Sequence, residues 1–169
     1  MTAGPGRVAL IILPLLVLFL AGQAAWPWSW PRPEWGLIVV TVMALRYGGR
    51  AGAWFGLACG ALVGLFSIGN PGLLAALYAL WGLSLGGLLS PYADRPLLYP
   101  LSLLSATVSM GVALWLGRSL GLDLPGIYAV RHWVVSASLA NLVALYPFLW
   151  FVQHLWGYYV LKPLKVEGE

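Results

Sequence analysis

AGAWFGLACGALVGLFSI, residues 51–68, is an uncharged apolar run in which Gly52, Gly56, Gly60 and Gly64 recur at intervals of four. A helix rises about 1.5 Å per residue, so crossing the hydrocarbon core of a bilayer takes about 17 to 25 residues, and this run qualifies. Residues four apart share one helix face. Glycines there let a second backbone come close, which is how helices associate where lipid removes the hydrophobic driving force. Gly82 and Gly86 repeat the spacing in the next apolar run. The first reading of these six helix-packing glycines is contact between helices of one chain. The second is a face for a separate subunit, including a homodimer.

Outward from that run, the whole chain has the same character. Of its 169 residues 61% are hydrophobic and 8% charged, and the mean hydropathy is +0.87. Nine basic and five acidic side chains cannot form the charged shell of a soluble domain of this size. The expected architecture is a single all-α polytopic membrane domain over 1–169. Its six transmembrane helices are expected near 8–25, 33–47, 51–68, 73–90, 97–116 and 133–156. Pro14 should bend the first, and Pro147 should free the Val143 carbonyl in the last. The run Trp35–Leu45 is short, and it spans only if its helix begins near Pro33 and Arg46 snorkels. Between the first two spans, Trp26, Trp28, Trp30 and Trp35 alternate with Pro27, Pro31 and Pro33, a composition suited to the headgroup layer. Residues 118–131, with Asp123 and Pro125 among Leu and Ile, read as an amphipathic stretch on the membrane surface. Arg7, a short apolar region and Gly22, Gln23, Ala24 also resemble a signal peptide; retention is the expected outcome.

Orientation follows from the basic residues, which favour the cytoplasmic side. Arg7, Arg46, Arg50, Arg95, Lys162 and Lys165 collect on one side, against Arg32, Arg118 and Arg131 on the other. Both termini are expected in the cytoplasm, with the Trp-rich loop and 118–131 outside.

Few groups suit chemistry. Cys59 stands alone in an apolar stretch, which excludes internal disulfides and thiolate clusters. His132 and His154 lack carboxylate companions and any HExxH pattern, so no metal is expected. Basic residues are scattered singly at segment ends, unlike a nucleic-acid footprint. Every charge falls in a loop or at a segment end, so no ionised group is expected near mid-membrane, where proton relays and ion paths are marked. Ser102, Ser105, Thr107, Ser109, Ser136, Ser138 and Asn141 are the polar side chains inside the last two spans. Hydroxyls bonded to the preceding turn and Asn141 bonded across helices account for them. No serine has a base or a GxSxG elbow, so the expectation is no catalytic residue, no cofactor and no enzyme.

The stretch Trp35 to Leu89 carries a resemblance. Its short second span ends in Ala44, Leu45, Arg46, Tyr47, Gly48. The Arg50 to Gly52 turn, the glycine-ridged third span and a Gly72-Leu73-Leu74-Ala75-Ala76-Leu77-Tyr78-Ala79-Leu80 opening to the fourth follow. These features resemble the rod shape-determining protein MreD family over about a third of the chain, and length and span number agree. Members often carry an acidic residue late in the third span. Here that place is Gly64, so no role of such a carboxylate carries over.

The resemblance implies a subunit of the bacterial inner membrane that pairs directly with MreC. It belongs to the elongation machinery with MreB, RodA and a class B penicillin-binding protein, and its part is scaffolding. It also implies a six-helix fold similar to the substrate-binding subunits of energy-coupling-factor transporters. Trp28, Trp30, Trp35, Tyr128 and Trp133 are the candidate partner contacts, since large aromatics anchor interfaces; alternatively they fix depth in the bilayer. The alternative function is a vitamin-binding subunit of such a transporter, which needs convergent polar groups in an outward cavity. A lipid-active enzyme would need a paired acid and base.

Overall fold

The computed structural model describes residues 12–14, 16–18, 20–21, 32–66, 71–121 and 127–160, of which 127–130, 151 and 153–160 are described by their backbone. Among the described residues, 12–14, 16–18 and 20–21 are helical, and four helices follow: α1 (Trp35–Phe66), α2 (Pro71–Leu89), α3 (Leu98–Ser119) and α4 (Ile127–Val160). No strand occurs among the described residues. Three stretches among them are long and apolar enough to cross a membrane: Pro71–Tyr92, Leu98–Ser119 and Arg131–Trp150. They coincide closely with the runs expected at 73–90, 97–116 and 133–156.

α1 is two helices joined at Gly48, whose φ of 82° and ψ of −179° interrupt the ladder. Only glycine adopts that conformation readily. The chain therefore reverses at the Gly48–Gly49 turn, and 35–47 folds back against 49–66. Gly36 abuts Val63 and Tyr78, and Gly52 abuts Ala44.

The first half of α1 is the centre of the bundle. Leu37, Ile38, Val39, Val40, Thr41, Val42, Met43, Ala44 and Leu45 are all buried, with no exposed face among them. A β-branched run such as Ile38 to Val42 is a mediocre helix former by intrinsic propensity. A low-dielectric interior overrides that, because unpaired backbone groups cost several kcal/mol there and a helix pairs them within the segment. Around this rod pack Ile12, Leu16 and Leu20 of the first segment, which recur every four residues on one face, while Leu18 points outward. The other helices complete the ring.

The second half of α1 and α2 lie antiparallel at backbone distance. A Cβ on Gly52 would meet the Gly82 carbonyl, one on Gly56 the Tyr78 carbonyl, and one on Gly64 Pro71. A Cβ on Gly60 would lie 2.6 Å from Ala75 Cα and Leu74 O. Gly82 and Gly86 return the contact from α2, against Gly52 and against Gly48 and Gly49. The small-residue face is thus consumed inside one chain. All six helix-packing glycines lie on this seam.

Of the stretch 118–131, Arg118 and Ser119 close α3, Gly121 turns the chain with a φ of 87°, and 127–131 open α4. The intervening 122–126 lie outside the described residues, as do the Trp-rich 22–31 and the polar tail from 161. α4 continues through Pro147, which is exposed. A proline ring on an open face finds room that a packed face would deny it.

Candidate functional site

The Glu34 amide donates to Asn141 Oδ1 over 2.6 Å, and Asn141 Nδ2 donates to Thr107 Oγ1 over 3.0 Å. Thr107 Oγ1 in turn donates to the Leu103 carbonyl, 2.9 Å away in the preceding turn. The carboxylate end of Glu34 is held as well. Trp133 Nε1 donates to Glu34 Oε1 at 3.1 Å, and the Tyr78 hydroxyl hydrogen-bonds the same side chain. A main-chain N–H can only donate, which fixes the Asn141 amide with its oxygen toward α1 and its nitrogen toward α3. One asparagine thereby ties three helices.

Depth makes this cluster unusual. Asn141 lies ten residues, about 15 Å, from the Arg131 end of the crossing stretch Arg131–Trp150. Thr107 lies about 14 Å from the start of α3. Asn141 and Thr107 are buried, and the Glu34 amide sits with them at the middle of the bundle. The 35–47 half-helix, about 20 Å long, starts beside them. Glu34 is its N-cap residue, since its carbonyl already accepts from the Ile38 amide at 3.0 Å.

Glu34 stands at a segment end, as expected of every charge, and that end is packed against the other helices of the bundle. A central helix touches protein on every side and has no lipid to span, so its backbone can begin at mid-depth if something takes the first amide. Asn141 does that. A signal was present in the sequence: Glu34 directly precedes a run too short to span, and Asn141 is the sole amide side chain in the last two spans before Gln153.

Three of the serine hydroxyls have local partners, whereas that of Ser102 is buried with none. Ser105, Ser109 and Ser136 donate to the carbonyls of Ser102, Ala106 and Trp133, three residues back. Of the candidate partner contacts, Trp133 is half-buried and engaged with Glu34, and Trp35 is half-buried with its ring 6.5 Å from that of Phe148 at 52°. Both serve the interior. Tyr128 lies in the first turn of α4, where only the backbone is described; Trp28 and Trp30 lie outside the described residues. Trp133 meets Glu34 and Trp35 meets Phe148, while the glycines have a different place, the α1–α2 seam.

No family model matches the chain, and neither a curated protein nor a solved structure matches it significantly. What the site can do rests on its own geometry. The Trp133 indole and the Tyr78 phenol hold the Glu34 carboxyl, and the Asn141 carboxamide holds its main-chain amide and Thr107. Such an arrangement fixes the entry of the central helix, because a polar network that is fully satisfied in a low-dielectric medium holds a single geometry.

Proposed function

We propose that this chain is a non-enzymatic subunit of the bacterial inner membrane that binds MreC and helps position the peptidoglycan synthases of the cell-elongation complex, with RodA, a class B penicillin-binding protein and MreB in the wider assembly. The observation that supports it most is the stretch Trp35 to Leu89, whose sequence resembles the MreD family and whose three helical segments pack on one another through glycines. Because the glycines are spent within the chain, a single-span partner would dock on the outer faces of α3 and α4, where Val108, Val112, Leu139 and Val143 are exposed. This reading has six spans, a fold similar to energy-coupling-factor substrate-binding subunits, and both termini in the cytoplasm. Co-expression with MreC and co-purification in mild detergent test it. A stoichiometric complex is expected, and failure of the two chains to associate under conditions where each is folded would overturn it.

A second reading has a specific observation in its favour. A vitamin-binding subunit needs convergent polar groups, and Trp133, Tyr78 and Asn141 converge on Glu34. In native mass spectra of protein purified without added ligand, a retained small molecule lost on Glu34→Gln would favour this reading over the scaffold.

A further inference from the structure

The helices divide into two unequal pairs. Among the described residues the densest packing joins α1 to α2, at backbone distance along the glycine seam. α3 packs more on α4 than on α1, and the contacts of α4 with α1 and of α3 with α2 are sparse. Covalently, the pairs are joined through 93–97, a non-helical stretch in which Asp94, Arg95, Pro96 and Leu97 are exposed. The preceding Ser90–Tyr92 turn packs on α1 and α2 and belongs with them. Polar contacts cross between the pairs at two levels. Next to the link, the Arg46 guanidinium carbon lies 5.7 Å from the centre of the Tyr99 ring, in the first turn of α3. The second level is at Thr107, about 12 Å further along α3. There Asn141 takes the Glu34 amide at 2.6 Å and Trp133 Nε1 donates to the Glu34 carboxyl at 3.1 Å. Ser102, between the two levels on α3, is buried and adds no hydrogen bond.

Two helices that hang on one short link at one end, and are held at the other by two hydrogen bonds to a single residue, have the geometry of a hinged leaf. Elements that open are those with the fewest packing contacts to the rest of the fold. The leaf is coherent in itself. Asn141 Nδ2 donates to Thr107 within it, so losing the bond to Glu34 leaves α3 and α4 tied to each other. We propose that α3 and α4 swing as one body about 93–97, with the bonds of Asn141 and Trp133 to Glu34 as the latch. Closed, the latch fixes where the outer faces of α3 and α4 stand relative to the α1–α2 hairpin. Open, it uncovers the Glu34 amide and carboxyl. The closed state dominates while no other acceptor is offered, because a donor left unpaired in a low-dielectric interior is costly.

Nitroxide pairs in the chain alone, reconstituted in lipid nanodiscs and read by double electron–electron resonance, test this without any partner. On a Cys59→Ala background, Leu65→Cys with Leu116→Cys labels the latch end of the two bodies, and Leu88→Cys with Leu101→Cys labels the link end. All four leucines are exposed. With the latch intact, one latch-end distance should dominate. Asn141→Leu combined with Trp133→Phe should raise the fraction of longer latch-end distances about fivefold or more, while the link-end distribution stays as it was. An unchanged latch-end distribution, or equal broadening at both ends, overturns the proposal. Should the double variant fail to fold, hydrogen exchange in the unaltered chain decides. The Glu34 amide should exchange about tenfold faster, or more, than the seam amides of Gly56 and Gly60, and equal protection overturns the hinge.

Discussion

Glu34 gives its main-chain hydrogen to Asn141 across a sequence separation of 107 residues, and in doing so closes the exposed end of a helix that starts inside the bundle. Replacing Asn141 by Leu keeps the volume and removes both bonds. The Glu34 amide then has no acceptor, and the cost should be about 1–3 kcal/mol, the desolvation penalty of one orphaned buried group. Thr107→Val should cost less, because it strands only the Asn141 nitrogen. Chemical unfolding of the two single variants and their combination in detergent measures this: the effects should be less than additive, with a coupling of about 0.5–3 kcal/mol.

The indole of Trp133 supports the carboxyl end of the same residue. Trp133→Phe leaves Glu34 Oε1 without that donor and should destabilise the fold by about 1–3 kcal/mol. Adding Glu34→Gln to Trp133→Phe should restore part of the loss, since an unpaired amide is cheaper to bury than an unpaired carboxylate. Thermal unfolding of the pair reads the sign. A double variant less stable than Trp133→Phe alone would contradict the role given to this contact.

Much of this architecture is legible in the chain. Runs 73–90, 97–116 and 133–156 carry enough apolar residues for their helices to be read from length alone, and the four-residue glycine spacing marks the seam on which α1 and α2 meet. The enclosure of the helix that Glu34 caps is not legible in the same way. Hydropathy gives the length of a run but not its neighbours, and 35–47 is short because protein encloses it, which only the packing of Leu37 to Leu45 reveals. The inward commitment of Trp133 has the same origin: an indole suits a headgroup layer and a buried carboxyl equally well until its N–H finds Oε1.

Gly48 turns the chain with a positive φ. Gly48→Ala should cost about 1–3 kcal/mol through backbone strain alone, because a Cβ there meets only the Ser90 side chain, at 4.0 Å. Gly87→Ala, with nothing within 4 Å of the added methyl, should be neutral or stabilise by up to about 1 kcal/mol. Melting temperatures of the two variants measured side by side separate strain from crowding.

Cys59 is fully buried on the second half of α1. The folded protein should resist a membrane-permeant maleimide for hours and react within minutes once unfolded in dodecyl sulfate. Labelling without unfolding would mean that the α1–α2 seam opens readily.

The most direct test of the close backbone contact that holds these helices is a comparison of Gly60→Leu with Gly87→Leu. A side chain at Gly60 runs into Ala75 Cα, whereas one at Gly87 enters open space. Detergent-solubilised Gly60→Leu should be lost from the monodisperse peak on size-exclusion chromatography, or melt far below the parent, while Gly87→Leu should elute and melt as the parent does. Indistinguishable behaviour of Gly60→Leu and the parent would contradict the packing of α1 on α2.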